Sequence, residues 1–450
     1  MHIHILGICG TFMAGVAQLA KQAGHRVTGA DEAVYPPMSD IIAASGIDVM
    51  QGYDACQLIP RPDCVVVGNA ITRGNPVFEA VLNQRIPYQS GPAWLAQHIL
   101  QDKWVLAATG THGKTTLSSM MTWILTANGY NPGYLIGGVP VNLNQSAQLT
   151  DAPWFVIEGD EYDTALFDKR SKFIHYQPKT LVINNLEFDH ADIFADLAAI
   201  QQQFHHLVRT IASQGLIVTP VNDVAIEQVL ARGCWTPITT VGLGEGNWSA
   251  QLVQEDGSAF EVFYQQAYQG RVQWPLLGLH NVSNALTAIA ACHHAQVAPA
   301  DSIAALNTFR GVKRRLEVKG QVNNITVYDD FAHHPTAIAA TLQGLRRHVE
   351  RANIIVLIEP GSYTMRHGIH QHTFVNALAA ADCVICFNTG DWCAQLTRTS
   401  HPPIQVLDSV SHIVEQATQV VQPGDHIVIM SNRGFGGIHD KLLQALAKIN

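Results

Sequence analysis

Charged residues are scarce in this chain: Asp, Glu, Lys and Arg make up only 14% of its 450 residues, against about 25% in ordinary soluble domains. Membrane segments do not account for the shortage, because no uninterrupted apolar run reaches the roughly 18 residues that a span requires. Basic residues are scarcer still. With 27 Lys and Arg against 36 Asp and Glu, and a formal net charge of −9, there is no basic stripe for a nucleic-acid backbone. Anionic small molecules must be met by local sites. Eight cysteines in so long a chain are scattered, not set in a disulfide framework. Cys383 and Cys386 do form a CxxC, but inside the apolar segment "DCVICF", which reads as a buried strand whose odd spacing sends the thiols to opposite faces. The paired histidines His205-His206 and His293-His294 show no ligand spacing. The N-terminal stretch lacks the Lys/Arg region of a signal peptide, so a cytoplasmic protein is expected.

What the chain does contain is a recurring strand, glycine turn and helix: "HIHILGICGTF" at the start, "WVLAATGTHGKTT" near position 105 and "ANIIVLIEPGSYTM" near 355. Each opens an α/β unit. The length implies two or three cores, and the motif positions predict three domains, at 1–100, 101–312 and 313–450. "TGTHGKTT", residues 109 to 116, is a phosphate loop whose usual leading glycine is Ala108. Gly110 and Gly113 let the backbone of Thr111, His112 and Thr116 turn N–H groups toward phosphate oxygens. Lys114 brings positive charge and Thr115 a hydroxyl for Mg²⁺. Two apolar runs, "WFVIEGDEYD" and "TLVINNLEFDHAD", end in acidic clusters, which places those clusters at the carboxyl edge of a parallel sheet, where ligands bind. From Gly7 the sequence is "GICGTF", with Cys9 and Phe12 where a dinucleotide fingerprint needs glycine, which disfavours an NAD-dependent oxidoreductase.

The TGTxGKTT loop, "EGDEYD", "NNLEFDHAD", "GLHNVSNALTAIAA", "GVKRRLEVKG" and "VYDDFAHHPT", in that order along the chain, resemble the Mur ligase family, ATP-dependent amide-forming enzymes of peptidoglycan synthesis. The resemblance implies a three-domain α/β fold: an N-terminal Rossmann-like UDP-binding domain, a central P-loop ATPase-type domain and a C-terminal Rossmann-like domain. It implies ATP contacts from the phosphate loop and from Asn281, Asn284, Arg315 and Asp330. It also implies metal contacts from Thr115, Glu158 and His190, with Lys114 and His190 catalytic. Imidazole is an unusual ligand for Mg²⁺ and common for transition ions, so Mn²⁺ is expected to substitute.

"GICGTFM", "TGADEAVYPPMSD" and "GNAITRGNP" resemble the domain that holds UDP-N-acetylmuramic acid in one branch of the family, which makes Gly10, Thr11, Phe12, Met13, Asp31 and Asn69 candidate UDP-sugar contacts. No lysine lies between Lys179 and Lys313 to supply the carbamylated lysine of other branches. Carboxylate chemistry at a second metal is therefore expected from Glu158 and solvent. "HILGICGTFMAG", "EFDHADIFADL" and "MSNRGFGGIHDKLL" look most like the members of murein recycling, which join the tripeptide L-Ala-γ-D-Glu-meso-diaminopimelate to UDP-N-acetylmuramate. Phe331 stands where the alanine-adding members carry tyrosine. A peptide with several carboxylates calls for guanidinium forks, and the strand-end loops "EPGSYTMRHG" and "MSNRGFGG" offer Ser362, Thr364, Arg366, Ser431, Asn432 and Arg433. His333 is the candidate to take the amine's proton. Free L-alanine is the alternative amine, and a non-enzymatic nucleotide-regulated binding protein the alternative class. No nucleic acid, membrane or obligate protein partner is expected.

Overall fold

The computed structural model describes residues 1–34, 38–390, 392–393, 396 and 402–448. Its first sheet has five parallel strands in the order Asp48–Gln51, Arg26–Asp31, His2–Leu6, Cys64–Val67 and Tyr88–Ser90. The central strands are almost continuously apolar because helices cover both faces. Gly7 leaves the first strand at φ 75°, and Gly10 caps the helix Thr11–Gln22.

That helix does not end the domain against solvent. A Cβ on Gly15 would lie 2.2 Å from Leu135 Cδ1, so the missing side chain lets the helix pack closely onto the strand Gly133–Leu135 of the next sheet. A single apolar cluster runs from Ile3, Val66 and Trp94 through Ala147 and Phe155 to Phe173 and Phe204. The first two domains therefore share one core.

The second sheet has ten strands, with Trp104–Thr109 between Thr180–Ile183 and Trp154–Glu158. These three pair in parallel, so the phosphate loop and both acidic clusters emerge at one edge. The antiparallel strands Ala259–Tyr264 and Ala267–Gln273 close its far end.

The third sheet runs Glu317–Val322, Ile325–Asp330, His426–Met430, Ile354–Ile358, Cys383–Phe387 and Ile404–Leu407, parallel apart from its first strand. It has its own core on each face: Cys386 belongs to one, and Cys383 packs against the other. It meets the central domain through Leu277, which packs against the first of these cores, through a close approach of Gly344 to Gly278, and through polar contacts. Thr336 Oγ1 donates to Glu187 Oε2 at 2.7 Å, Thr364 Oγ1 lies 3.2 Å from Asp189 Oδ1, and His348 Nδ1 lies 2.9 Å from Asp256 Oδ2.

Burial of histidine sets a pH limit on this fold. Burial drives His4 and His333 down to about 4 and His334 to about 3, below the ordinary value near 6.5. The unfolded chain then binds more protons than the folded one between those limits, so stability present above about pH 6.5 is lost as pH falls toward 4. Calorimetry is expected to show a lower melting temperature at pH 5 than at pH 7; an unchanged value would contradict it.

Candidate active site

The phosphate loop is held by asparagines on the neighbouring strand end. Gly110 has φ 124° and Gly113 φ 82°, a region that penalises other residues. A Cβ on Gly110 would stand 2.9 Å from Asn185 O, and one on Gly113 2.9 Å from both Asn184 Nδ2 and Asn284 Oδ1. Thr111 N donates to Asn185 O at 3.1 Å and His112 N to Asn185 Oδ1 at 2.7 Å. The Thr111 hydroxyl accepts from Glu187 N at 2.9 Å. Asn184 Nδ2 donates to Asn284 Oδ1 at 2.9 Å. Asn284 thus braces the loop, and Asn184 and Asn185 of "NNLEFDHAD", which the sequence alone does not single out, shape it. Thr116 is buried beneath the loop.

Beside the loop lies a chain of ionised groups. Lys114 Nζ donates to Gly110 O and to Glu161 Oε2, both at 2.7 Å. The other oxygen of Glu161 lies 3.0 Å from His190 Nε2. Glu161 is only 2% exposed. Burial works against its charge, but Lys114 and then His190 overcome that and lower its pKa. Burial alone would also depress His190; the Glu161 carboxylate reverses this and raises it.

The carboxylate beside His190 is therefore Glu161, which corrects the expectation that Glu158 and solvent supply it. Glu158 instead accepts from the Thr115 hydroxyl at 2.9 Å and from Gly137 N at 2.7 Å. Burial raises its pKa in spite of those partners and of the Lys114 and Arg315 charges, and its oxygen beside the Thr115 hydroxyl fits a hard divalent ion. The backbone of His190 sits at φ 56°, a strained choice for histidine, braced by its own N–H on Asp189 Oδ1 at 2.8 Å. Its ring meets that of Tyr162 at 4.3 Å.

Two cavities flank this chain. The larger, about 1070 Å³, lies between the central and last domains and is lined by His112, Gly113, Thr116, Asn281, Asn284, Arg315 and Asp330, with Val224 and Leu276 on its apolar side. Asp330 is held by N–H donors from Leu316 and Ala332, both at 2.7 Å. Arg314 and Arg315 each sit 5.1 Å from the ring centre of Phe331, a stacking role in which the ring face matters.

The smaller cavity, about 250 Å³, is lined by Tyr162, Asp189, His190, His333, Ser362, Thr364, Asn432 and Arg433. It brings two of the three catalytic candidates, His190 and His333, together with four of the six peptide candidates. The other two lie elsewhere. Arg366 is exposed at the end of the short helix Tyr363–Arg366. Ser431 is buried, its hydroxyl 2.5 Å from Glu359 Oε2 and accepting from Arg433 N at 2.9 Å, so it shapes the loop. His333 Nδ1 lies 3.0 Å from Phe331 O. A carbonyl only accepts, so Nδ1 carries the proton and Nε2 keeps its lone pair.

The UDP-sugar candidates occupy the first sheet's carboxyl edge. Gly10 and Thr11 are exposed, and Phe12 and Asn69 half-buried, with Lys172 Nζ 5.3 Å from the Phe12 ring centre. Two differ from expectation. Met13 is core, its sulfur packed where a Cβ on Gly91 would come within 2.7 Å. The Asp31 carboxylate accepts from Cys9 N at 2.8 Å and Ala33 N at 3.1 Å, which holds the glycine turn itself.

Three family models match in succession: the Mur ligase family catalytic domain over residues 2–103, the Mur ligase middle domain over 108–292 and the Mur ligase glutamate ligase domain over 314–433. The UDP-N-acetylmuramate--L-alanyl-gamma-D-glutamyl-meso-2,6-diaminoheptandioate ligase of Escherichia coli K12 is 54% identical over 452 residues, covering 100% of this chain and 99% of that protein. The chain belongs to the Mur ligase family. Among other Mur ligases, the UDP-N-acetylmuramate--L-alanine ligase of Acidiphilium cryptum is 30% identical, over 97% of this chain and 92% of that protein. The crystal structure of a murein peptide ligase from Psychrobacter arcticus superposes with a TM-score of 0.76 at 44% identity, covering 100% of this chain and 99% of that one. A UDP-N-acetylmuramate-alanine ligase from Thermotoga maritima, 22% identical over 99% of this chain and 98% of that one, shares the Mur ligase fold at a TM-score of 0.79.

Proposed function

We propose that this Mur ligase joins L-alanyl-γ-D-glutamyl-meso-diaminopimelate to UDP-N-acetylmuramate, forming ADP and phosphate, as a cytoplasmic enzyme of murein recycling. The observation that carries the reading is the smaller cavity, which brings His190 of the central domain together with His333, Asn432 and Arg433 of the last, so an amine placed near His190 and His333 has polar and cationic groups of the last domain at hand for its carboxylates. The 54% likeness to the Escherichia coli ligase of that name supports the same choice of amine.

In this reading residues 1–100 hold the UDP-sugar, 101–312 the ATP and 313–450 the peptide. The γ-phosphoryl group of ATP passes to the lactyl carboxylate, and the peptide amine displaces phosphate from the acyl phosphate to give the amide. Mg²⁺, with Mn²⁺ able to replace it, would be held by Thr115, Glu158 and His190 and would offset charge on the phosphoryl oxygens. Lys114, fixed by Glu161, stands over the phosphate loop as a positive group that needs no reorganisation. Asp189 favours an ammonium nearby: burial opposes its charge, but His190 holds its pKa at about 2. His333, neutral near pH 7 because burial lowers it to about 4, offers Nε2 to an N–H of the amine and orients it.

Phosphate release with UDP-N-acetylmuramate and either the tripeptide or free L-alanine tests the proposal. Equal efficiency with the two amines would overturn it in favour of the alanine ligase. A finer expectation separates the two arginines. Loss of a charge-assisted contact costs about 1.5–3 kcal/mol, so Arg433→Ala is expected to raise the peptide KM roughly 10- to 100-fold and leave the ATP KM unchanged. Arg366→Ala, on the exposed side of its helix, is expected to have a smaller effect in the same assay.

A further inference from the structure

The side chains of His112, Glu187 and His334 have no role in the mechanism above, yet they converge where the central and last domains meet. His112 comes from the phosphate loop and Glu187 from the loop after strand Thr180–Ile183. His334 caps the helix Pro335–Val349 of the last domain. One donor atom from each lies within 4.8 Å of those of the other two. His112 Nε2 is 3.5 Å from Glu187 Oε2, and His334 Nδ1, which also accepts the long 3.3 Å contact from Thr336 N, is 3.8 Å from the same oxygen. Both separations from Glu187 exceed a normal hydrogen bond. They are close to the roughly 3.4 Å between ligand atoms of a tetrahedral ion bound at about 2.0–2.1 Å.

The second observation is that the cluster is incompletely satisfied. Among the described residues, Nε2 of His112, of His334 and of the adjacent His370 is buried without a hydrogen-bond partner, although buried polar atoms are normally paired. His334 is only 6% exposed. Its ring lies 4.5 Å from those of both His112 and His370, centre to centre.

We propose that His112, Glu187 and His334 form a binding site for a divalent first-row transition ion such as Zn²⁺, joining the phosphate loop to the last domain. Two imidazoles and one carboxylate are a donor set for borderline ions and not for Mg²⁺, which prefers oxygen. The protonation states already suit ligation. The nearby His112 imidazole and the other partners hold Glu187 ionised, at about 2, and burial holds His334 neutral, at about 3. The site differs from the one built on Thr115, Glu158 and His190. Its three ligands come from two domains, so an ion there favours their closed arrangement. His370, whose ring lies 4.5 Å from that of His334, is a further donor beside the site.

The test uses the full-length protein freed of transition metals by a chelator, with excess Mg²⁺ added and Co²⁺ as the probe. One equivalent of Co²⁺ is expected to give the strong visible absorption of a low-coordinate site, in the parent and equally in His190→Ala. Glu187→Gln combined with His334→Asn, where asparagine still caps the helix, is expected to weaken binding at least about tenfold. His112→Asn, which changes a loop and no helix, is the second variant and is expected to give the same loss. Zn²⁺ should raise the melting temperature of the parent and not that of these variants. No visible band in the parent, or a band that survives in the variants and vanishes in His190→Ala, would overturn the proposal.

Discussion

Lys114→Ala is expected to lower ligase turnover by about 100- to 1000-fold, the range found when one preorganised charge or donor to a transition state is removed. Several features single out this lysine. Its ammonium is fixed by Gly110 O and Glu161 at 2.7 Å and so is already aimed over the loop before the nucleotide arrives. The side chain is 12% exposed, where the surroundings screen its charge far less than water does. Its helix, Lys114–Ala127, is carried by the buried Leu117, Met120, Met121, Ile124 and Leu125, so the fold survives the loss; circular dichroism should be unchanged. Among the described residues the Glu161 carboxylate would keep His190 alone as a hydrogen-bond partner, and a modest fall in melting temperature is expected. Activity within about tenfold of the parent would remove Lys114 from phosphoryl transfer.

Glu161→Gln is expected to be nearly as damaging, although this carboxylate need not touch a substrate. It lies between Lys114 at 2.7 Å and His190 at 3.0 Å and fixes the positions of both. Glutamine keeps the shape and removes the charge, leaving a buried ammonium short of its counter-ion. Breaking such a pair from one side costs about 3–5 kcal/mol. The informative measurement is a double-mutant cycle on turnover. If Glu161 acts through Lys114, the double variant should be little worse than Lys114→Ala alone, because groups acting as a unit are not additive. Multiplying losses would mean that the two act separately.

The parts of this molecule that were legible beforehand are those where one residue type has one local purpose. Gly110 and Gly113 announce a loop because no other residue sits easily at their φ, and Lys114 and Thr115 follow from the loop. The acidic runs were placed correctly at the sheet edge because apolar strands end where the sheet meets ligand. Contacts that close across the chain were not legible. Asn184 meets Asn284 over 100 positions of separation, and nothing in either segment marks the partner. Glu158 and Glu161 stand in one short motif, yet only the path of the turn decides that the first reaches Thr115 and the second reaches Lys114 and His190. The same holds for the arginines: both "EPGSYTMRHG" and "MSNRGFGG" follow strands, but the four-residue helix Tyr363–Arg366 turns Arg366 outward, while Arg433 stays on the cavity. Met13 and Asp31 were legible as parts of a glycine turn; that one packs the core and the other clamps the backbone depends on neighbours far along the chain.

The apolar cluster that runs unbroken from Ile3 to Phe204 leaves the molecule with one joint instead of two. Pulling the first sheet away from the second would expose Leu135, Trp94 and Phe155 to water, whereas the last sheet keeps its own two cores and shares none of them with the first two sheets beyond the partly buried Leu277. The spacing between the first two nucleotide-binding edges is thus set once, when the chain folds, and opening for substrate entry or product exit falls to the connection that precedes strand Glu317–Val322. In solution scattering the open form should fit as a large body of two sheets and a small body of one. A chain cut after the first sheet would yield two sticky fragments, while a cut before the last should yield two that fold.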